Sequence, residues 1–318
     1  MDFRQISYFV ALYEEGSVTR AANRLNVVQP AVSMQIAKLE RDLDQQLFER
    51  RSKAMVPTSA GRTLHRLVVP VLRNLTLARE HMAKLSGVIS GRITIGMLAS
   101  LAASLVPDML TAFARDFPEV EVVVVDGYSS TFIDLVNQDA IDFAVINKPP
   151  RRLGAIVEPL VEEQMVFVTA ANLGNSGDPI DFKELQQARL ILPSRRHGLR
   201  TELDRHFEAR DVSLDLQLEM DSIQGICEIV ARSEWATILP SLAVRKGIAT
   251  GELAARAISP AMTRQLAIIH HPRHPLTPAA DAFIKRLREH VETAVGPGIT
   301  PGDRADKPTL FDAAATTR

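Results

Sequence analysis

Hydrophobic positions near the start of the chain recur at helical spacing. In "FRQISYFVALYEEGS", Ile6, Phe9, Val10 and Tyr13 share one face of a predicted helix, and Gly16 suits the left-handed position past its end. Ser17 can cap the next helix, whose narrow face of Ala21, Ala22 and Leu25 lets a neighbour approach closely. "NVV" is a turn. Gln29 and Pro30 open a third helix, where proline's missing N–H costs nothing. Val32, Ile36, Leu39 and Leu43 give its buried stripe, while Ser33, Met34, Gln35 and Lys38 fall largely on the other side. Packing does not require those polar residues, but a helix entering a groove of base edges and phosphates uses them.

Leu47 and Phe48 then predict a short hairpin anchored on the three helices, with Arg50, Arg51 and Lys53 at its tip. Residues 1–58 thus read as a winged helix-turn-helix. Over 59–90, Leu64, Leu67, Val71, Leu75, Ala78, Met82 and Leu85 recur every three or four positions, a two-sided seam of the coiled-coil kind. An amphipathic helix lying on its own domain shows the same pattern, but the length favours a dimerisation arm. Pro70 should kink this helix or weaken its hydrogen bonding locally.

After "SGVISG" the period changes. Strands are predicted at "RITIGML", "VEVVVVD", "AIDFAVI", "QMVFVTA", "RLILP", "DLQLEM", "WATILP" and "RQLAIIHH". Helices are predicted at "LAASLVPDMLTAFARDF", "SSTFIDLVNQ", "LRTELDRHFEAR", "IQGICEIVA" and "TPAADAFIKRLREHVETA". Such alternation predicts an α/β body over 91–295, with parallel strands and helices on the sheet faces. The tail 296–318 has proline, glycine and polar residues without a sustained period and reads as disordered.

Composition narrows the class. At 318 residues, with 46% hydrophobic and 24% charged positions, the chain has the make-up of an ordinary globular protein of two domains. Asp2, Arg4, Glu14 and Glu15 interrupt the N-terminal segment, so it lacks the apolar core of a signal peptide. No run approaches the ~18 apolar residues needed to span a bilayer. A lone cysteine, Cys227, fits a reducing compartment and sits on a predicted apolar helix face, as a core thiol does. Together these predict a cytoplasmic protein without membrane contact. The net charge of −1 hides an asymmetry: residues 1–90 carry 13 Lys/Arg against 8 Asp/Glu, and the rest carry 24 against 30. A basic segment on an acidic body is how a DNA-binding domain joined to something else reads.

Candidate chemistry follows the same division. On the third helix Gln29 can pair with adenine, Ser33 can bond a base edge or phosphate, Lys38 adds charge, and Pro30, Met34 and Gln35 lie beside them. Arg50 and Arg51 suit backbone phosphate or a minor groove, and Thr19 and Arg20 suit phosphate. In the body, Ser100 with Leu101, Ser129, Asn147 and Ser194 each follow a predicted strand, where sheets of this kind place ligands. Each also fits a plain cap or loop role. Arg195 and His197 add charge near Ser194 and can hold a carboxylate or face solvent. "HHPRH" lacks both helical histidine spacing and a nearby carboxylate, so no metal or cofactor is expected. Gly-x-Ser-x-Gly, phosphate-loop and His-Glu-x-x-His patterns are missing, which weighs against common enzyme classes.

The stretch "FVALYEEGSVTRAANRLNVVQPAVSMQIAKLERDLDQQLFERRSKAMVPTSAGR" resembles the LysR-type transcriptional regulators in its order of alanine, Gln-Pro, Ser, Leu-Glu and Leu-Phe-x-Arg positions. The body is similar to that family's effector domain through "ITIGMLASLAASLVPDMLTAFARDFPEVEV", "IDFAVI" and "WATILP", so the likeness covers residues 1 to about 293. "LPSRRHGLR" with "EMDSI" is similar to the branch near the nitrogen-assimilation-control regulators.

The resemblance implies a winged helix, a linker-helix coiled coil and a two-lobed domain of the type II periplasmic-binding-protein fold. It implies a homodimer or homotetramer on double-stranded promoter DNA, with RNA polymerase as a partner. A small effector, expected to be anionic, would lie between lobes lined by Ser100, Leu101, Ser129, Asn147 and Ser194. One departure stands out. Ser233, Glu234 and Trp235 replace a Gly-x-Gly often found before "TILP", and the indole is expected to fill part of the cleft or reshape its rim. Two alternatives follow: a ligand-independent regulator of the same architecture, or a two-lobed solute-binding protein or enzyme, for which a winged helix has no use.

Overall fold

The computed structural model describes residues 1–51, 54–149, 151–173, 177–214 and 216–295. Lys53 and the tail 296–318 lie outside these residues, and the Arg51 side chain is not described. The chain forms two units, Met1–Gly87 and the remainder from Val88.

The first unit begins with α1 (Phe3–Glu15), α2 (Val18–Arg24) and α3 (Gln29–Leu43). A capping box between Asp2 and Gln5 starts α1, and Gly16, at φ 59°, ends it by donating to Leu12. Ser17 occupies the N-cap of α2, yet its side chain makes no capping bond there. Phe9, Leu12, Ala21, Ala22, Val32, Ile36 and Leu39 close the core between the three helices. The wing follows as β1 (Phe48–Arg51) paired antiparallel with β2 (Ala54–Pro57), anchored by buried Leu47 and Phe48.

Next, α4 (Ser59–Leu85) runs as one helix through Pro70. Its start is fixed by Thr58, whose hydroxyl accepts from the Gly61 N–H and donates to the Gln46 carbonyl. One side of α4, including Leu64, Val68 and Leu72, packs on the winged-helix core, where His65 stacks on Tyr13 at 3.8 Å. On the helix's outer side Leu67, Val71, Leu75, Met82 and Leu85 are exposed.

The second unit is two lobes built on one winding sheet. Lobe 1 holds β3 (Gly91–Leu98), α5 (Ala99–Ala102), α6 (Val106–Asp116), β4 (Val120–Gly127), α7 (Ser129–Asn137) and β5 (Phe143–Asn147). The expected single helix after β3 is two, the second opening with Pro107 in its first turn. Then β6 (Ile156–Ala170) runs the length of both lobes, further than the sequence pattern suggested.

Lobe 2 adds β7 (Ile180–Asp181), α8 (Phe182–Gln187), β8 (Ile191–Leu192), α9 (Gly198–Glu208), β9 (Leu218–Glu219), α10 (Ile223–Ala231), β10 (Thr237–Pro240), α11 (Ser241–Ala249) and β11 (Leu253–Ser259). The chain returns to lobe 1 through β12 (Thr263–His270) and closes with α12 (Pro278–Val295). The sheet order is β4-β3-β5-β12-β6-β11-β7, with β10 also on β6.

Each lobe has its own core. In lobe 1 Ile93, Ile95, Met97, Phe113 and Phe143 meet Phe283, Leu287 and Val291 of α12. In lobe 2 Val166, Val168, Leu192, Leu203, Ile226 and Ile238 form the centre. Cys227 is half-buried against that second core, and burial pushes its thiol up to about 11, which leaves it protonated and inert at neutral pH.

Candidate DNA-binding face and regulatory cleft

With Val32, Ile36 and Leu39 turned into the core, helical spacing puts Gln29, Pro30, Ser33, Met34 and Lys38 outward, and all five are exposed. Gln35 is half-buried at the edge of the same face. The N-cap of α3 is Val28, which offers no side-chain acceptor; Pro30 has no N–H to satisfy, and the Ala31 N–H donates to the Val28 carbonyl at 3.0 Å. Thr19 and Arg20 are exposed on α2. The Arg20 guanidinium is already held by Glu15, through its backbone carbonyl and a carboxylate oxygen 3.4 Å away. Arg50 is exposed on β1.

Glu40 is a residue that sequence reasoning missed. Its Oε1 accepts from the Leu47 N–H at 2.8 Å and the Phe48 N–H at 3.3 Å, tying α3 to the start of the wing. Its Leu-Glu position is part of the family pattern, but nothing in the sequence pointed to its bond with the wing.

In the second unit β3, β4 and β5 run parallel, so Ser100, Ser129 and Asn147 gather at one end of lobe 1. Ser194 follows β8 at the facing end of lobe 2. Ser129 Oγ accepts from the Asn147 N–H at 3.2 Å. Leu101 turns its side chain wholly into the core of lobe 1, which leaves its backbone to face the strand ends.

Trp235 is also elsewhere. Ala236 bridges Leu190 in parallel, so β10 runs the same way as β8, and the cleft lies at their C-terminal ends. Trp235 precedes β10 by two residues, about 16 Å from its far end at the strand rise of ~3.3 Å per residue. There it packs on the core of lobe 2 with the Arg189 guanidinium 4.7 Å above its ring. Contrary to expectation the indole neither plugs nor rims the cleft, and it gives no support to a ligand-independent regulator.

The groups that dominate the cleft are an ion pair unmarked in the sequence. Glu163 on β6 and Arg264 on β12 are direct cross-strand partners, fully and almost fully buried, where both strands pass between lobes. Arg264 Nε and Nη2 donate to Glu163 Oε2 at 2.9 and 2.8 Å. Nη2 also donates to Ser100 Oγ at 2.9 Å, and Nη1 makes a longer contact of 3.5 Å with Asn147 Oδ1. The other Glu163 oxygen accepts from the Leu242 N–H, in the first turn of α11, at 2.7 Å. Separated by 101 positions, Glu163 just precedes the predicted strand "QMVFVTA" and Arg264 opens "RQLAIIHH", places where a solvated residue looks the same.

Facing groups bring the lobes into contact. Tyr128 O–H reaches Asp221 at 3.4 Å, and its ring meets His197 edge-on at 5.2 Å. A Cβ on Gly198 would lie 3.3 Å from Asn147 Nδ2. His197 Nδ1 accepts from the Leu199 N–H. Burial pushes the His197 imidazole below its ordinary value, Asp221 opposing and Arg264 adding to the effect. Hydrogen bonding by Ser194 holds the Asp221 carboxyl below the usual range. Arg195 is exposed.

The histidine run does meet a carboxylate, contrary to expectation. At the end of lobe 1 away from the cleft, Asp139 lies 2.7 Å from His274 Nδ1, and His271 stacks on His274 at 4.2 Å. Potential ligand atoms of the three lie within 4.8 Å of one another. Yet His271 Nδ1 already accepts from the Arg273 N–H and Asp139 already engages His274, so the group works as a clasp between two loops.

A winged helix carrying an exposed polar recognition face, joined by a long helix to a two-lobed α/β domain, defines a DNA-binding regulator. The helix-turn-helix model of the lysR family of bacterial regulatory proteins matches residues 3–62, and the LysR substrate binding domain matches residues 86–292. The chain belongs to the LysR family of transcription regulators, with a DNA-binding and an effector-binding domain. It is 30% identical to the nitrogen assimilation regulatory protein nac of Klebsiella aerogenes, over 89% of this chain and 92% of that one. Its fold is similar to OxyR of Corynebacterium glutamicum at a TM-score of 0.69, with 22% identity over 92% of this chain and 93% of that one. It is also similar to full-length CbnR complexed with its target DNA, at a TM-score of 0.59 and 20% identity, over 91% of this chain and 100% of that one. Among the described residues no helix is long and apolar enough to cross a membrane.

Proposed function

We propose that this chain is a non-enzymatic regulator that reads promoter DNA with α3, supports that contact with Arg50 and Arg51 of the wing, and answers to a small molecule between its lobes. The observation that carries the reading is the face of α3, where Gln29, Ser33, Met34 and Lys38 stand exposed over a buried Val32–Ile36–Leu39 stripe. That a protein of this fold has been crystallised with its target DNA supports it. The outer stripe of α4 supports assembly as a homodimer or homotetramer, which matches a palindromic operator. The protein acts in the cytoplasm, with RNA polymerase as its partner at the promoter. Movement of the lobes changes how paired bodies meet and so the angle between the DNA-binding domains.

Footprinting and salt titration on operator DNA test this. Gln29→Ala or Ser33→Ala is expected to cost about 1–3 kcal/mol of specific binding and to relax base preference. Arg50→Ala is expected to weaken every sequence alike and flatten the salt dependence. Wild-type footprints and slopes in all three variants would remove α3 and the wing from the interface.

A further inference from the structure

What the cleft accepts is written in the Glu163–Arg264 pair, and the inference rests on the reading of the cleft as the effector site. We propose that Glu163 is its specificity-determining residue: by holding Arg264 it closes the site to carboxylate ligands and reserves it for neutral or cationic effectors. Arg264 is the cation that bonds Ser100 and approaches Asn147, two of the three polar side chains gathered at the strand ends of lobe 1. Its charge is already matched, since Glu163 takes two of its N–H groups on one oxygen. The first-turn N–H of α11, a group suited to an incoming anion, is taken by the other oxygen.

An anionic ligand must therefore compete with a carboxylate tethered in place, whose effective concentration is far above that of any free metabolite. Without displacing it, the ligand would set a second negative charge beside Glu163 where little water screens the repulsion. The groups that lobe 2 sets nearest this point are Asp221, another carboxylate, and His197, whose Nδ1 lone pair is occupied by the Leu199 N–H, while the Arg196 guanidinium is exposed and acts on Tyr128. Hydroxyl, amide and ammonium groups meet no such barrier, because Ser129, Asn147, Tyr128 and Asp221 are all suited to hydrogen-bonding them.

The test is chemical complementation of the full-length protein. Glu163→Ala removes the internal carboxylate and leaves Arg264 short of a counter-charge in a space of carboxylate size. Acetate and propionate, at ionic strength matched with chloride, are titrated against wild type and variant by thermal melting and calorimetry. The variant's Tm is expected to rise by about 3–5 °C for each tenfold increase in acetate above its Kd, while wild type stays unmoved. Adding Arg264→Met to the variant should abolish the response.

Wild type binding acetate with loss of that binding in Arg264→Met would overturn the proposal, as would a folded Glu163→Ala that ignores both anions. If Glu163→Ala does not accumulate folded, Glu163→Ser takes its place, since it too removes the carboxylate and vacates the space beside Arg264. Stabilisation of that variant alone by acetate supports the assignment, and none refutes it. Footprints recorded with and without acetate separate the two readings: an acetate-binding variant whose operator footprint never changes sustains the role of Glu163 while sinking the cleft as an effector site.

Discussion

At His197 burial and protonation oppose one another. The imidazole is buried with Nδ1 accepting from a backbone N–H, an arrangement that requires the neutral ring. Its folded pKa lies below the ordinary 6.5, so between the two values the unfolded chain binds a proton that the native one refuses. Stability from this group is present above 6.5 and falls as pH drops toward the folded value. The slope can reach about 1.4 kcal/mol per pH unit for one proton. Urea unfolding from pH 7.5 to 5 should show that loss in wild type and a shallower one in His197→Asn, whose side-chain oxygen can still accept from Leu199. His65, half-buried against Tyr13 and pushed the same way, keeps the variant's slope above zero. Parallel curves for the two proteins would show that His197 contributes nothing. At this scale the sequence was legible where helical spacing sorts a residue in or out, as with Ser33 and Val32. It was not legible at Trp235, because a turn residue's end of the strand depends on strand direction, and that is a property of the assembled sheet.

Among elements, α4 carries the clearest division of labour. Its inner side completes the winged-helix core, while Leu67, Val71, Leu75, Met82 and Leu85 remain in water on the outer one. The repeat at three and four residues announced the outer stripe, but Val68 and Leu72 of the inner side stood outside it, and Leu64, read as part of the seam, packs inward. Leu75→Asp would place a charge within the interhelix contact that the outer stripe is suited to make, where burial without a partner is costly. Light scattering should show a smaller assembly and operator binding should weaken, with the circular dichroism of the body unchanged; an unaltered mass would contradict the assignment. The start of the same helix is pinned more tightly. A Cβ at Gly61 would collide with the Leu47 carbonyl oxygen, which is backbone and cannot swing aside. Gly61→Ala should therefore cost about 1–3 kcal/mol, the usual range for overpacking. Denaturant melts that leave the midpoint unmoved would count against so close a junction.

For the molecule as a whole, the reach of β6 was the part the sequence concealed. Only its second half, "QMVFVTA", has the apolar run of a buried strand; the first half, "IVEPLVEE", mixes proline and acids with its apolar positions. Pairing with β12 is what makes it a strand, and that partner arrives a hundred residues later. The same distance hid Glu163 and Arg264 from one another. It also sets a timetable for synthesis. Lobe 2 is an insertion between β6 and β12, so it has all its segments while lobe 1 still lacks its central β12 and the Phe283, Leu287 and Val291 of α12. As the chain leaves the ribosome from its N-terminus, the winged helix emerges entire, then lobe 2, and the earliest strands of lobe 1 wait longest with their apolar faces uncovered. The segment that can grip DNA is thus finished before the domain that governs it, and nascent lobe 1 is where a chaperone would have most to hold.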